Sequence, residues 1–141
     1  MKLLQRLFVR PPLLHKLKPG DAGEEWVSYL YRQRGCKILA RNYAVFGQKK
    51  LGELDIVCRL GRRIIIVEVK TRSSERFMSL EETINIHKQR FLRRMAKIFI
   101  QQNPKYDSYE LQIDVAGVLM EPLDNSIKSV KIIENAIEDS V

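Results

Sequence analysis

The run Gly52-Glu53-Leu54-Asp55-Ile56-Val57, then Gly61-Arg62, then Ile64-Ile65-Ile66-Val67-Glu68-Val69-Lys70, decides how this chain folds. Both runs are rich in β-branched residues, and a glycine-first dipeptide parts them. The pattern reads as a β-hairpin. With Gly61-Arg62 as a two-residue type II′ turn, Leu60 pairs with Arg63, and counting back sets Asp55 across from Glu68. Strand alternation puts Glu68 and Lys70 on one face and Val67 and Val69 on the other. Two carboxylates about 5 Å apart on one face repel each other. A hard divalent cation reverses the sign of that term, because Mg²⁺, with Mn²⁺ as a substitute, takes oxygen ligands and keeps open water positions. Asp55 and Glu68 are therefore the expected metal ligands, with the Val69 carbonyl as a third oxygen. Lys70, one pleat further on, is placed to orient a water or offset charge on a phosphate.

A Glu-x-Lys triplet on its own says little, since both residues are common and on a strand they usually form a solvated face. Here it closes a run of four β-branched residues, and the paired strand supplies an acid, which favours the catalytic reading over a surface salt bridge.

Around this hairpin the chain reads as one α/β domain. A first helix is expected from Asp21, as its cap, to Arg34, with Trp26, Tyr29 and Leu30 on the buried side and Gly35 as its stop. A strand over Lys37–Phe46 follows. The loop Gln48-Lys49-Lys50-Leu51 looks longer than a direct strand-to-strand link and reads as a basic substrate-contact loop. Ile64–Val67 is apolar on both faces, which suits a central, twice-covered strand. Ser79 and Glu82 match a capping box. Asn85 caps a longer helix to about Gln102, with Phe91, Leu92, Met95 and Phe99 buried and Lys88, Arg90, Arg93, Arg94 and Lys97 on the remaining surface. Strands over Tyr109–Leu119 and Ile127 to about Ile133 complete the order α-β-β-β-α-β-β. The sheet must be mixed, since hairpins are antiparallel and the strand after the long helix returns parallel. Residues 1–18 form a basic extension, 19–135 the domain, and 136–141 an acidic tail.

The 141 residues carry 25 Lys and Arg against 17 Asp and Glu, a formal charge of +8. That excess favours a polyanionic partner, nucleic acid before an anionic membrane. Cys36 and Cys58 form no C-x-x-C pair, and His15 and His87 are the only histidines, so a disulfide scaffold and a zinc site are both excluded. Reduced thiols fit a cytoplasmic protein. Arg6, Arg10 and Pro11-Pro12 break the N-terminal apolar run, so neither a signal peptide nor stable membrane insertion is expected.

Other acids are ambiguous from the residues alone. The helix dipole explains Glu24 and Glu25 in a first turn. Gly20 and Gly23 beside them suit either a close backbone approach or a flexible link. Asp114, on a late apolar strand, reads as a buried acid with a partner in preference to a metal ligand. Lys88 can reach a phosphate or simply be solvated. Lys49, Lys50, Arg72, Lys88 and Arg90 are the candidate nucleic-acid contacts.

Gly20-x-x-Gly23-Glu24, Arg41-Asn42, Gly52-Glu53-Leu54-Asp55, Val67-Glu68-Val69-Lys70-Thr71-Arg72, Lys88-Gln89-Arg90 and Ile113-Asp114-Val115 together resemble the YraN-like family of small bacterial proteins, over roughly residues 19–120. That family in turn resembles the PD-(D/E)xK nucleases, such as restriction endonucleases and archaeal Holliday-junction resolvases. The resemblance implies a restriction-endonuclease-like core, a mixed sheet flanked by helices. It also implies a catalytic set of Glu24, Asp55, Glu68 and Lys70, with Glu24 joining Asp55 and Glu68 around one or two Mg²⁺ ions. The expected activity is hydrolysis of phosphodiester bonds in DNA rather than RNA, in branched or damaged structures. The alternative is a non-catalytic nucleic-acid-binding protein of the same fold. A resolvase needs two active sites and hence a homodimer, for which no self-complementary apolar stripe is evident.

Overall fold

Five strands lie side by side in chain order: β1 (Lys37–Phe46), β2 (Lys50–Leu60), β3 (Arg63–Arg72), β4 (Glu110–Met120) and β5 (Ile127–Ile133). The computed structural model describes residues 9–74 and 79–137. Residues 1–8 of the basic extension and 138–141 of the acidic tail lie outside that range. β3 pairs with β4 in parallel and every other pair is antiparallel, so the sheet is mixed as expected. Helix α1 (Pro19–Gln33) precedes the sheet, and α2 (Leu80–Thr83) and α3 (Ile86–Gln102) lie between β3 and β4.

Each face of the sheet has its own cover. Ala22, Val27 and Tyr31 of α1 pack on Ile56, Cys58, Ile65, Val67 and Val118. Leu92, Met95, Ala96 and Phe99 of α3 pack on Val45, Leu54, Val57, Ile64 and Ile66. β3, third of five and covered on both sides, is therefore apolar at every position from Ile64 to Val67. Gly52 lets α3 sit close, since a Cβ there would lie 2.5 Å from the Phe91 ring.

The hairpin turn is as read: Gly61 takes φ +60°, and Leu60 pairs with Arg63. The capping box at Ser79 and the Asn85 cap also form. Some details differ from expectation. Helix α1 begins at Pro19 with Lys18 as its cap, and Asp21 falls within the first turn, because proline presets the first helical φ. Its buried row is Gly23, Val27 and Tyr31, one position round from Trp26 and Leu30, since Gly23 must face β3. The link between β1 and β2 is only Gly47-Gln48-Lys49: Phe46 already pairs with Lys50, which belongs to β2 with Leu51. Arg93, expected on the surface, is buried at 6% exposure.

The ends are tied in. Asn125 donates to the Leu14 and Leu17 carbonyls. The Ala136 N–H donates to Ile113 O, and Ile137 is buried against the α3 side of the sheet.

Candidate metal and phosphate site

The site is built where β2 leaves β3. The two strands pair from Leu60↔Arg63 to Ile56↔Val67 and no further, so the expected Asp55–Glu68 rung is not a paired one. β1 is irregular opposite the same point. Asn42 stands between the pairs Tyr43↔Leu54 and Arg41↔Ile56, and its φ is +49°, the left-handed region that asparagine tolerates better than most residues. The faces of β2 exchange at the same point: Leu54 packs on the α3 side, whereas Ile56 and Cys58 pack on the α1 side. The strand that departs leaves the Val69 N–H without a ladder partner. The Asp55 carboxylate takes that N–H at 2.8 Å.

Glu68, 6% exposed, is the first residue beyond the last β2–β3 pair. Lys88 Nζ stands 3.0 Å and Lys70 Nζ 3.4 Å from its Oε1. Lys88 comes from the first turn of α3, where its N–H is held by the Asn85 cap at 2.9 Å.

Glu24 comes from the opposite layer. Gly23 makes this possible, for a Cβ there would stand 2.0 Å from Thr71 Oγ1. The missing side chain lets the second turn of α1 sit directly on β3; because the helix starts at Pro19, Glu24 and Glu25 lie in this turn and not, as expected, in the first. Gly20, by contrast, has nothing within 4 Å of such a Cβ. Arg41 reaches both acids of that turn, Glu25 at 2.9 Å and Glu24 at 3.5 Å. Glu24 Oε2, Ser28 Oγ and Arg41 Nε are buried and accept or donate no hydrogen bond.

The acids feel one another. Burial pushes the Asp55 carboxyl up to about 7 from an ordinary 3.8; the Glu68 and Glu24 charges add to this, and the Val69 N–H and Lys88 oppose it. Burial also raises Glu24, against hydrogen bonding from Asn42 and the Arg41 charge. Asp55, Glu68, Lys70 and Glu24, the four residues singled out in the sequence, thus share one electrostatic neighbourhood. Three carboxylates are matched there by Arg41, Lys70 and Lys88.

The donor set suits a hard cation. Asp55 and Glu68 repel each other in partial burial, and the Glu24 charge adds to this, although its Oε2 already stands 3.5 Å from Arg41. Among the described residues, however, no group of three or more His, Cys, Asp or Glu side chains is placed to hold a metal ion, so the expected ligand set of Asp55, Glu68 and Glu24 is not assembled as a trio. An Mg²⁺ ion needs no such trio, since one or two carboxylates with water and phosphate oxygens commonly complete its shell.

The remaining candidates separate. Arg72 lies two positions beyond Lys70 on the same face and donates to Ser79 O at 3.3 Å. Arg90 is exposed on α3. Lys49 and Lys50 sit at the β1–β2 turn, about 16 Å of strand from Asp55, and Lys50 pairs with Glu53. Asp114 is 1% exposed and accepts from Tyr31 Oη, from Gln112 at 2.8 Å and from the Asn135 N–H at 2.8 Å, so it anchors α1 and β5 to β4 and holds no ion. Arg41, Asn42 and Thr71 carry no individual signal as site residues in the sequence. The pair Arg41-Asn42 is visible there as a motif, but its role depends on a backbone angle that no residue pattern states.

The profile of the family described as "Uncharacterised protein family UPF0102" matches residues 23–118. The chain belongs to this UPF0102 (YraN-like) family. The matched span begins at Gly23 and contains every residue of the site. A UPF0102 protein of Caldicellulosiruptor saccharolyticus is 37% identical over 123 residues, 87% of this chain and 99% of its own length. One of Syntrophomonas wolfei is 36% identical over 111 residues, covering 79% and 92%. Among solved structures, Pyrococcus furiosus SfsA in complex with Ca²⁺ is similar at 17% identity and a TM-score of 0.35, over 82% of this chain and 61% of that one. At so low a score this likeness has no bearing on the chemistry. No described helix is long and apolar enough to cross a membrane.

Proposed function

We propose that this UPF0102 protein is a metal-dependent nuclease that hydrolyses phosphodiester bonds, with DNA as the preferred substrate over RNA. One observation carries the reading: Asp55, Glu68 and Lys70 meet at the fork between β2 and β3, with Glu24 delivered to them by the Gly23–Thr71 contact. Asp55 and Glu68 would hold Mg²⁺ or Mn²⁺, and Glu24 would complete the negative field through a hydrogen-bonded water. The bound ion supplies Lewis acidity toward a phosphate oxygen and lowers the pKa of water. The chain's own residues do the rest. Lys70 and Lys88, which pair with Glu68, would turn toward the phosphate if Glu68 held a cation, and there they would balance charge developing on phosphorus. The Val69 N–H fixes the Asp55 carboxylate, so that ligand is already oriented before substrate arrives.

The test is a cleavage assay on linear, nicked and branched DNA with Mg²⁺, Mn²⁺ or chelator. Product is expected with metal only, and Asp55→Ala should remove it while leaving DNA binding largely intact. Cleavage by the variant at the wild-type rate overturns the assignment.

A second reading has its own observation. Arg41, Lys70 and Lys88 already pair with Glu24, Glu25 and Glu68, and among the described residues no group of three His, Cys, Asp or Glu side chains is placed to hold a metal ion. A nucleic-acid-binding protein without turnover is compatible with that balance. It predicts salt-sensitive binding and no product in any metal.

A further inference from the structure

The basic part of the site does not end at Lys70. On the face of the sheet that carries α2 and α3, side chains line up across three strands. Glu68–Val115–Ile133 is followed by Lys70–Gly117–Lys131 and then by Arg72–Leu119–Ser129. Successive rows on one face are about 6.6 Å apart. The last two rows and Leu80 of α2 line a shallow cleft, open to solvent, with an enclosed volume of about 20 Å³ at its floor. Gly117 shapes it, because Leu80 rests where a Cβ would stand, with Cδ2 at 3.0 Å. The short helix therefore settles on β4 between two lysines. Among the described residues the lining holds Lys70, Arg72, Lys131 and the Ser129 hydroxyl, and no carboxylate. Lys70 belongs to both places, standing 3.4 Å from Glu68 and forming the inner wall of the cleft.

We propose that this cleft is a second phosphate subsite, which seats the backbone phosphate adjoining the scissile one on the same nucleic-acid strand. The proposal rests on the nuclease reading only in taking the Glu68–Lys70 end as the place of scission. Its distinguishing residues, Ser129 and Lys131, lie on β5, beyond the span that the family profile matches. Lys131 pairs with Glu81 of α2, but both side chains are more than half exposed, and exposed pairs of this kind contribute little. A phosphate can displace Glu81 at small cost. The Arg72 guanidinium is braced on Ser79 O at 3.3 Å, which keeps its charge beside the cleft.

The experiment measures binding of a short fluorescent single-stranded oligonucleotide in chelator across a salt series. Lys131→Gln is expected to weaken binding about three- to ten-fold and to lower the slope of log K against log salt by about 0.7, the value of one phosphate contact on a single strand. Arg63→Gln is the matched control. Arg63 is also an exposed cation paired with a glutamate, Glu110, but lies seven residues back along β3, about 23 Å away. It should leave affinity and slope unchanged. Equal losses in the two variants, no loss in Lys131→Gln, or no oligonucleotide binding by the wild-type chain would each overturn the subsite. Cleavage of the same oligonucleotide in Mg²⁺ is scored separately. Lys131-dependent binding keeps the subsite as a phosphate site even where the linear, nicked and branched DNAs also go uncut in metal, an outcome that retires the nuclease reading alone. Cleavage with Lys131-independent binding does the reverse.

Discussion

Asp55 is held in a conflict that its surroundings do not resolve. Burial and two neighbouring carboxylates lift its pKa to about 7, while one backbone N–H and Lys88 pull the other way. The folded value lies above the unfolded one, so the unfolded chain ionises first. Metal-free stability should therefore fall as pH rises from about 4 to about 7, and level off above that. Asp55→Asn keeps an acceptor for the Val69 N–H and removes the charge. It should raise stability at pH 7.5 by about 1–2 kcal/mol, a few degrees in Tm, with partial solvent contact trimming the larger linkage value. The same variant should lose about 10³-fold or more in cleavage. Thermal melts from pH 4 to 8 beside the cleavage assay test both signs, and a variant that melts below wild type at pH 7.5 refutes the conflict. Asp114 is the opposite case: buried, fully partnered and away from the fork. Its replacement by alanine strands Tyr31, Gln112 and the Asn135 N–H, and should cost about 3 kcal/mol in chemical denaturation. At this scale the sequence is informative about Asp55 and Glu68 because a two-residue turn fixes register by counting. It is silent on the missing rung between them, which goes with the exchange of faces along β2 and a positive φ at Asn42 on a different strand.

Elements that carry local chemistry are legible. Ser79 with Glu82, Asn85 and Gly35 mark helix ends through short-range hydrogen bonds or backbone restrictions, and the bounds of β1 and β5 follow from composition alone. The rotation of α1 is not legible, because Trp26 and Leu30 are as apolar as Val27 and only a tertiary contact chooses between them. That contact is Gly23 on Thr71, and it also delivers Glu24. Gly23→Ala should therefore act twice. With Cβ 2.0 Å from Thr71 Oγ1, it should cost about 1–3 kcal/mol and displace Glu24 from the fork. Thr71→Ala removes the hydroxyl and leaves the Thr71 Cβ position 3.2 Å from the new methyl, a contact that a few tenths of an ångström relieves. The double variant should regain most of the lost stability and activity, a coupling of about 1 kcal/mol or more in a double-mutant cycle. Additive losses would mean that α1 does not hang on this contact.

On the scale of the whole molecule, a chain of net charge +8 keeps three of its acids together in one basic setting. The field around the protein therefore favours a polyanion, while on the nuclease reading the acids at the fork would oppose a phosphate until a cation offset them. These two effects respond differently to salt. Attraction between separated charges is screened within about 8–10 Å at 0.1–0.15 M salt, whereas charges in partial burial at contact distance are screened far less. In a nuclease of this build, kcat/KM should fall steeply between 50 and 200 mM salt, by about 10²-fold or more if several phosphates are held. The rate at saturating DNA should change by no more than about two- to three-fold over the same range. Exposed Arg90, Arg94 and Lys97 on α3 belong to the first effect. Their joint replacement by glutamine should flatten the dependence of kcat/KM on salt and leave the saturated rate in place. A saturated rate that fell in step with kcat/KM would place these cations at the chemical step, and the separation of outer attraction from inner repulsion would not hold.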